Sequence, residues 1–222
     1  MSKISLFIYY IDRAFSRLRL PLRLKQYYIF AQPVPSERLL RSRRGRSVYV
    51  ERLDTADPRL EALPVAADTL DLRGQAGNIV CFAAFKDGRV IGCHWLALDH
   101  HDDEEVGARF CGQGSARFVW DFDLYVVPEE RIGYAFARIW DEAFAFLREL
   151  GIAWSLSYVS PVNQRSHKSH ESLGSVRVAS LLRITLGRAE LIVSTIRPYL
   201  GLALPPRTRV TIPLPVPREP TN

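Results

Sequence analysis

A chain of 222 residues can fill one substantial hydrophobic core or two small ones, and one is expected. Its composition, 47% hydrophobic with four tryptophans, excludes a wholly disordered protein. The formal charge of +6 is unevenly spread: residues 1 to 50 hold eleven Lys and Arg against Asp12 and Glu37, a local +9 that leaves −3 for the rest. Such a basic beginning suits an anionic membrane surface, an acidic carrier protein or nucleic acid, or is simply a solvated face. Neither zinc-finger spacing nor an aromatic RNP pattern is present, which sets sequence-reading of nucleic acid aside.

In chain order, Leu6, Phe7, Tyr10, Ile11, Ala14, Phe15 and Leu18 recur at helical spacing, with Arg13, Arg17 and Arg19 interspersed before Pro21. This amphipathic helix would pack against protein, with a membrane interface as the alternative. Tyr27 to Ala31 suggests a short strand, cut off by Pro33 and Pro35. The basic stretch 42 to 46 introduces a strand over Val48 to Leu53, and one or two short helices are expected between Pro58 and Gln75. Ile79 to Phe85 and Val90 to Leu98 form a hairpin about Asp87 and Gly88, because glycine accepts positive φ. His100 to Glu105 reads as a polar tip, followed by a weak strand near Val106 to Cys111 or an irregular loop. Cys81, Cys93 and Cys111 are odd in number and lack metal-knuckle spacing, so reduced core cysteines are expected.

The most informative run is Val119 to Gly174. Trp120, Phe122, Leu124 and Val126 alternate with Asp121, Asp123 and Tyr125, a period of two that reads as a strand and places both aspartates on one side. From Phe136 the period becomes helical, with Phe136, Ile139, Trp140, Ala143, Leu147 and Leu150 forming a stripe that Gly151 stops. Ile152 to Val159 supplies another strand, a helix starts at Asn163, and Val176 to Leu186 pairs with Glu190 to Ile196 about Gly187. Seven prolines from Pro198 onward read as an extended tail.

This run resembles the core of the GCN5-related N-acetyltransferase (GNAT) superfamily, whose members mostly move an acyl group from coenzyme A to an amine. The superfamily's phosphate-binding turn reads Gln or Arg, two residues, Gly, one residue, then Gly or Ala. Gly133 and Ala135 match it, Glu130 stands at the first position, and an arginine follows as Arg131. The superfamily's last motif has Asn, a small residue three on, Tyr seven on and Gly eleven on. Asn163, Ser166 and Gly174 match, with His170 in place of the tyrosine.

The resemblance implies an α/β fold: a mixed, mostly antiparallel sheet flanked by helices, split between its two central strands. The implied organisation is a basic N-terminal extension with an amphipathic helix (1–45), an acyltransferase-like domain (46–197) and a proline-rich tail (198–222). Acetyl-CoA or another acyl-CoA would be the cosubstrate, its pantetheine arm lying between the strands Arg117–Val127, where Val126 would contact it, and Ile152–Val159. Its pyrophosphate would lie over Arg131, Ile132, Gly133, Tyr134, Ala135 and Phe136, where a helix start offers free N–H groups. Asn163 and Ser166 would cap the next helix and orient the carrier's amides.

Acyl transfer needs a proton acceptor for the amine and, usefully, a donor for the thiolate. Asp121 and Asp123 are the candidate acceptors, with structural or substrate-orienting roles as the alternative. His170 is the candidate donor, having inherited the place of the superfamily's tyrosine. Glu104 and Glu105 would either be solvated or bind a cationic acceptor. His167 and His170 form an i,i+3 pair beside Glu171, but the sequence supplies no compelling third convergent ligand, so no metal is expected. A GxxxxGK[ST] loop and a GxSxG elbow are both absent. The expected activity is direct transfer of an acyl group, acetyl by default, to an amine-bearing small molecule or protein. A noncatalytic coenzyme A or acyl-carrier binding protein is the alternative. An acyl carrier protein or an anionic membrane surface is the expected partner of the basic start. No stretch reaches the roughly 20 apolar residues of a membrane span, so the expected location is the cytoplasm, peripheral to the inner face of a membrane if the basic helix engages one.

Overall fold

The structure is a computed structural model that describes residues 2–41, 44–65, 67–114, 117–204, 209–215 and 217. The first two residues of the basic stretch at 42 to 46, and three of the terminal prolines, lie outside the described residues. In chain order the elements are α1 (Lys3–Arg17), β1 (Leu22–Pro33), β2 (Tyr49–Leu53), α2 (Ala67–Ala76), β3 (Ile79–Lys86), β4 (Arg89–Leu98), β5 (His100–Asp103), β6 (Ala108–Gly112) and β7 (Val119–Val126). They continue with α3 (Ala135–Glu149), β8 (Trp154–Val159), α4 (Gln164–Ser172), β9 (Val176–Leu186), β10 (Ala189–Ser194), β11 (Leu200–Ala203) and β12 (Val210–Leu214). The chain divides into two compact units: Met1–Pro33, His100–Phe118 and Leu156–Asn222 form one, Val34–Asp99 and Val119–Ser155 the other. β8, one of the two strands beside the expected split, passes from the second unit to the first after Ser155.

The second unit is an antiparallel sheet in the order β7-β4-β3-β2. Its β3–β4 hairpin turns at Asp87 and Gly88, both at positive φ, as the sequence pattern predicts. Alternation sends Leu53, Cys81, Ala83, Phe85, Cys93 and Trp95 to one face, where they pack with Leu60, Leu63 and Leu70 of the helical segment that includes α2. The other face receives α3: Phe146 meets Phe82, Trp140 meets His94, and Ile139, Ala143 and Leu147 are buried. Each such fully buried large side chain contributes on the order of 1.5–3 kcal/mol. Asp141, buried on α3, accepts the backbone N–H groups of Leu39 and Leu40 at 2.6 and 3.2 Å and so ties the incoming chain to the helix.

In the first unit β1 pairs antiparallel with β9, and β10 and β11 follow. Leu156–Val159 of β8 lies on the other side of β1. The short strand expected at Tyr27 to Ala31 is therefore a twelve-residue central strand, Leu22–Pro33. Its run Tyr27–Ala31 is buried because strands flank it on both sides. The polar tip is a hairpin, β5–β6, and the proline-rich segment contributes β11 and β12, the latter parallel to β6. Pro213 is compatible with β12 because that strand is an edge, where a missing N–H costs no ladder bond. Both units thus carry mostly antiparallel sheet flanked by helices.

Candidate functional site

In the second unit β7 leads into a 3-10 turn, Pro128–Glu130, and through Arg131–Tyr134 into α3. Pro128 presets the turn, Val127 donates to Ile91 O at 2.9 Å to anchor its start, and Gly133 N–H closes on Glu130 O at 3.0 Å. The first intrahelical bond runs from Arg138 N to Tyr134 O, and Tyr134 makes no side-chain cap. The first-turn N–H groups at Ala135 and Phe136 therefore lack intrahelical acceptors, as at any helix start. Ile132 is wholly exposed, Gly133 and Tyr134 are exposed, Ala135 is buried and Phe136 half-buried. A Cβ at position 133 would stand 3.3 Å from the Glu130 carbonyl oxygen and 3.4 Å from its Oε2, so a side chain there would crowd that corner.

The two adjacent charges at this turn have separate partners. Arg131 bends back, Nε donating to the carbonyl of Val126 at 2.9 Å, with its guanidinium carbon 5.8 Å from the Tyr125 ring centre. Glu130 is instead met by Lys86 at the end of β3, Nζ to Oε1 2.7 Å. The basic loop also reaches the turn. Gly45, at positive φ, lies so close to the start of α3 that a Cβ there would come within 2.9 Å of Tyr134 Cβ and 3.1 Å of Arg138 Cγ. Arg138 Nε donates to Val48 O at 3.2 Å, and Arg44 and Arg46 on either side of Gly45 are exposed. Sequence reading missed Lys86 and this seating of Gly45; the only local signal was a glycine amid arginines.

The two aspartates do not share a face. A β-bulge between Trp95 and Leu96 on the β4 side pairs Trp95 with Asp123 and Leu96 with Asp121, so Phe122 is the extra residue and alternation breaks. Asp121 turns toward α3, where Oδ1 meets His94 Nε2 at 2.8 Å in a buried pair beneath Trp140. His94 Nδ1 is buried without a partner. Asp123 turns to the opposite face and pairs with Arg73 of α2 at 2.8 Å; 38% of its side chain stays exposed. Arg73 itself lies over Trp95 and Phe122, its guanidinium carbon 4.4 and 5.1 Å from their ring centres.

In the first unit Asn163 caps α4, its side-chain oxygen accepting Ser166 N–H at 3.1 Å. Gly174, at positive φ, ends the helix. His170 lies flat against Phe30 of β1, rings 5.8 Å apart and within 7° of parallel, and His167 meets the same ring edge-on at 5.4 Å. Glu105, expected as a loop acid, is held by three groups: Lys25 Nζ and Tyr27 OH at 3.3 Å and Tyr158 OH at 3.2 Å. Burial, with the nearby carboxylates, pushes both tyrosines upward, so they remain donors to that carboxylate. Glu104 pairs with Arg209. Among the described residues no group of three or more His, Cys, Asp and Glu is placed to hold a metal ion.

No protein-family model matches the sequence, and no curated protein matches it. Solved structures do. A GNAT-family protein from Novosphingobium aromaticivorans aligns over 73% of this chain and 64% of its own, with 15% identity and a TM-score of 0.50. A conserved protein from Staphylococcus epidermidis aligns over 83% and 67%, with 8% identity and a TM-score of 0.52. An aminoglycoside acetyltransferase from an uncultured soil metagenomic sample covers 58% of this chain and 88% of its own at 12% identity, with a TM-score of 0.45, too low to bear on the comparison. At these identities the likeness speaks to architecture, and it agrees with the strand, turn and helix order of the candidate site: the chain has the fold of the GNAT acetyltransferases.

Proposed function

We propose that the protein transfers an acyl group, acetyl by default, from coenzyme A to an amine. The observation that carries this is the passage from β7 through Gly133 into the uncapped start of α3, within a GNAT fold. An uncapped helix start fits a pyrophosphate because its N–H groups and the positive end of the helix dipole act on the same anion. Ile132 to Phe136 would supply those groups, with Lys86 and the arginines beside Gly45 as flanking cations. Asn163, whose side chain caps α4 at Ser166 N–H, would orient the carrier's amides together with Ser166.

In the reaction the neutral amine attacks the thioester carbonyl, the new C–N bond forms, the C–S bond breaks, and the ammonium proton leaves. Asp123 would receive that proton, directly or through water; its side chain, paired with Arg73, keeps 38% exposure, whereas Asp121 is buried against His94. The thiolate needs little acid assistance, its conjugate acid being moderately acidic; His170 would supply the proton. The acceptor is an amine-bearing small molecule or a protein amine. A second reading, a noncatalytic coenzyme A binding protein, is favoured by one observation: His170 is held flat on Phe30 where the superfamily has a tyrosine.

Incubation with acetyl-CoA and a broad panel of primary amines, read by free thiol release and product mass, tests the proposal. Turnover with any amine supports transfer. Thermal stabilisation by coenzyme A without turnover supports the second reading, and the absence of both removes the two together.

A further inference from the structure

Helix α1 is amphipathic and meets the first unit through a mixed face, on which Ile8, Ile11 and Phe15 are half-buried beside two polar ties. Ser2 caps it, Oγ accepting Ser5 N–H at 3.0 Å, and Ser5 Oγ lies 2.7 Å from Tyr28 OH of β1 in a buried contact. One helical stretch further on, Asp12 takes two bonds of 2.8 Å from Arg23 and one of 2.9 Å from Leu24 N. Ser5 is the only buried residue of the helix, whereas Ile4, Phe7 and Tyr10 are 69%, 65% and 61% exposed and Leu18, just past its end, 69%. Part of the helix's apolar surface therefore stays in solvent, where the apolar stripe of a surface helix usually faces the core.

The exposed apolar surface continues beyond the helix. Gly187 N donates to Pro21 O at 2.9 Å, which brings the β9–β10 turn beside Leu20; Leu20 and Leu186 are exposed there, and so is Arg188. Lys3, Arg13, Arg17 and Arg19 are exposed around the same surface. The single acid of α1, Asp12, is already committed to Arg23, and among the described residues no acidic partner is recorded for Arg13, Arg17 or Arg19.

We propose that α1 and the Leu20–Arg188 corner form an interfacial anchor for an anionic phospholipid bilayer. Apolar side chains ringed by cations are what such a surface needs: the former enter the acyl boundary, the latter meet the headgroup charge. No helix of the described residues is long and apolar enough to cross a membrane, so α1 would lie in the interface plane. Charge complementarity selects lipid over a second copy. An isologous contact through this surface would set Lys3, Arg13, Arg17 and Arg19 against their own duplicates. The inference is independent of the transfer chemistry.

Flotation of the full-length protein with phosphatidylcholine vesicles, and with vesicles that also contain phosphatidylglycerol, reads the proposal directly. Binding to the mixed vesicles, little to the neutral ones, and a decline with added salt are expected. Phe7→Ser with Leu18→Ser should weaken the partition roughly tenfold or more, and Arg13→Gln with Arg17→Gln should abolish the preference for anionic lipid. These side chains are exposed, so the variants should keep the parent's unfolding midpoint, which is measured alongside. Equal partition onto both vesicle types, no partition at all, or undiminished binding by the Phe7 and Leu18 variant would each overturn the proposal. So would vesicle indifference combined with a dimer that Phe7→Ser dissociates, or with binding to an acidic acyl carrier protein.

Discussion

Replacing Glu130 with glutamine should tighten coenzyme A binding. Glu130 stands where the GNAT turn has a neutral or cationic residue, and its Oε2 lies 3.4 Å from the point a Gly133 Cβ would occupy, at the corner proposed for the pyrophosphate. Taking a carboxylate-to-phosphate distance of about 6 Å and an effective dielectric of about 40, between the values for water and for a protein surface, Coulomb's law gives roughly 1.4 kcal/mol per unit charge. Lys86, 2.7 Å from Oε1, cancels part of this in the parent and becomes free to meet phosphate in the variant. The two effects point the same way, so the dissociation constant should fall about tenfold, 1.4 kcal/mol being one decade. Isothermal titration at low salt measures it, and the gain should shrink as salt is added. Two controls isolate the cause: Lys86→Gln should weaken binding, and pantetheine, which lacks the phosphates, should bind parent and Glu130→Gln alike. Unchanged or weaker coenzyme A binding by a folded Glu130→Gln protein would refute the placement of the phosphates at this turn.

Gly133→Val should weaken coenzyme A by about tenfold or more while leaving the unfolding midpoint close to the parent's, since the residue is exposed and its added Cβ meets only Glu130; equal affinities in calorimetry would count against the site. His170→Phe keeps the stack on Phe30 and should lower kcat with little change in KM for acyl-CoA, so an unaltered kcat under chemistry-limited conditions would remove the proton-donor role. Gly92→Ala should destabilise the second unit by about 1–3 kcal/mol in chemical denaturation, because its Cβ would come within 2.6 Å of the Tyr125 carbonyl oxygen on β7 and 3.3 Å of Ile139 on α3. Arg23's hydrogen bonds hold the Asp12 carboxyl below its ordinary value, so the α1 tie is complete above the usual carboxylate range and is lost as pH falls through the lowered value; hydrogen exchange in α1 should accelerate below about pH 4 in the parent, with no such step in Asp12→Asn.

Elements set by local pattern were legible in the sequence, and those set by distant partners were not. The Asp87–Gly88 hairpin, the α3 stripe and the Asn163 cap follow from residues a few positions apart, and the structure holds all three. β1 was read as five residues because Arg23, Lys25 and Gln26 interrupt its apolar run. Its length comes from pairing with β9, more than 140 residues downstream, and from Glu105, which receives Lys25. β12 likewise needs β6 to become a strand, and nothing in a proline-rich stretch announces a parallel partner a hundred residues earlier. At the site, the turn was legible because glycine and a following helix are local signals. The shared face of Asp121 and Asp123 was a fair deduction from a period of two, but one inserted residue in a bulge reverses it, and a bulge at Phe122 carries no sequence mark. Lys86 was invisible as a partner of Glu130 because the pairing spans 44 positions of chain.

The polar seating of α1 has an energetic consequence that bears on its role. The polar contacts that help fix it, Ser5 to Tyr28 and Asp12 to Arg23 and Leu24, are hydrogen bonds whose net worth is typically about 0.5–1.5 kcal/mol each, with somewhat more for those involving charge. Turning the helix to bury Phe7 would gain up to about 1.5–3 kcal/mol for that side chain but would lift Ile8, Ile11 and Phe15 out of their half-buried places. In water alone that rotation would trade one apolar face for another. The polar ties at positions 5 and 12 hold it the other way, and their partners belong to β1, whose Tyr27–Ala31 run is buried in the first unit's sheet. The apolar burial forgone on folding is then available on contact with an apolar phase. Apolar surface left in solvent on folding and covered at an interface is what the proposed peripheral anchor requires.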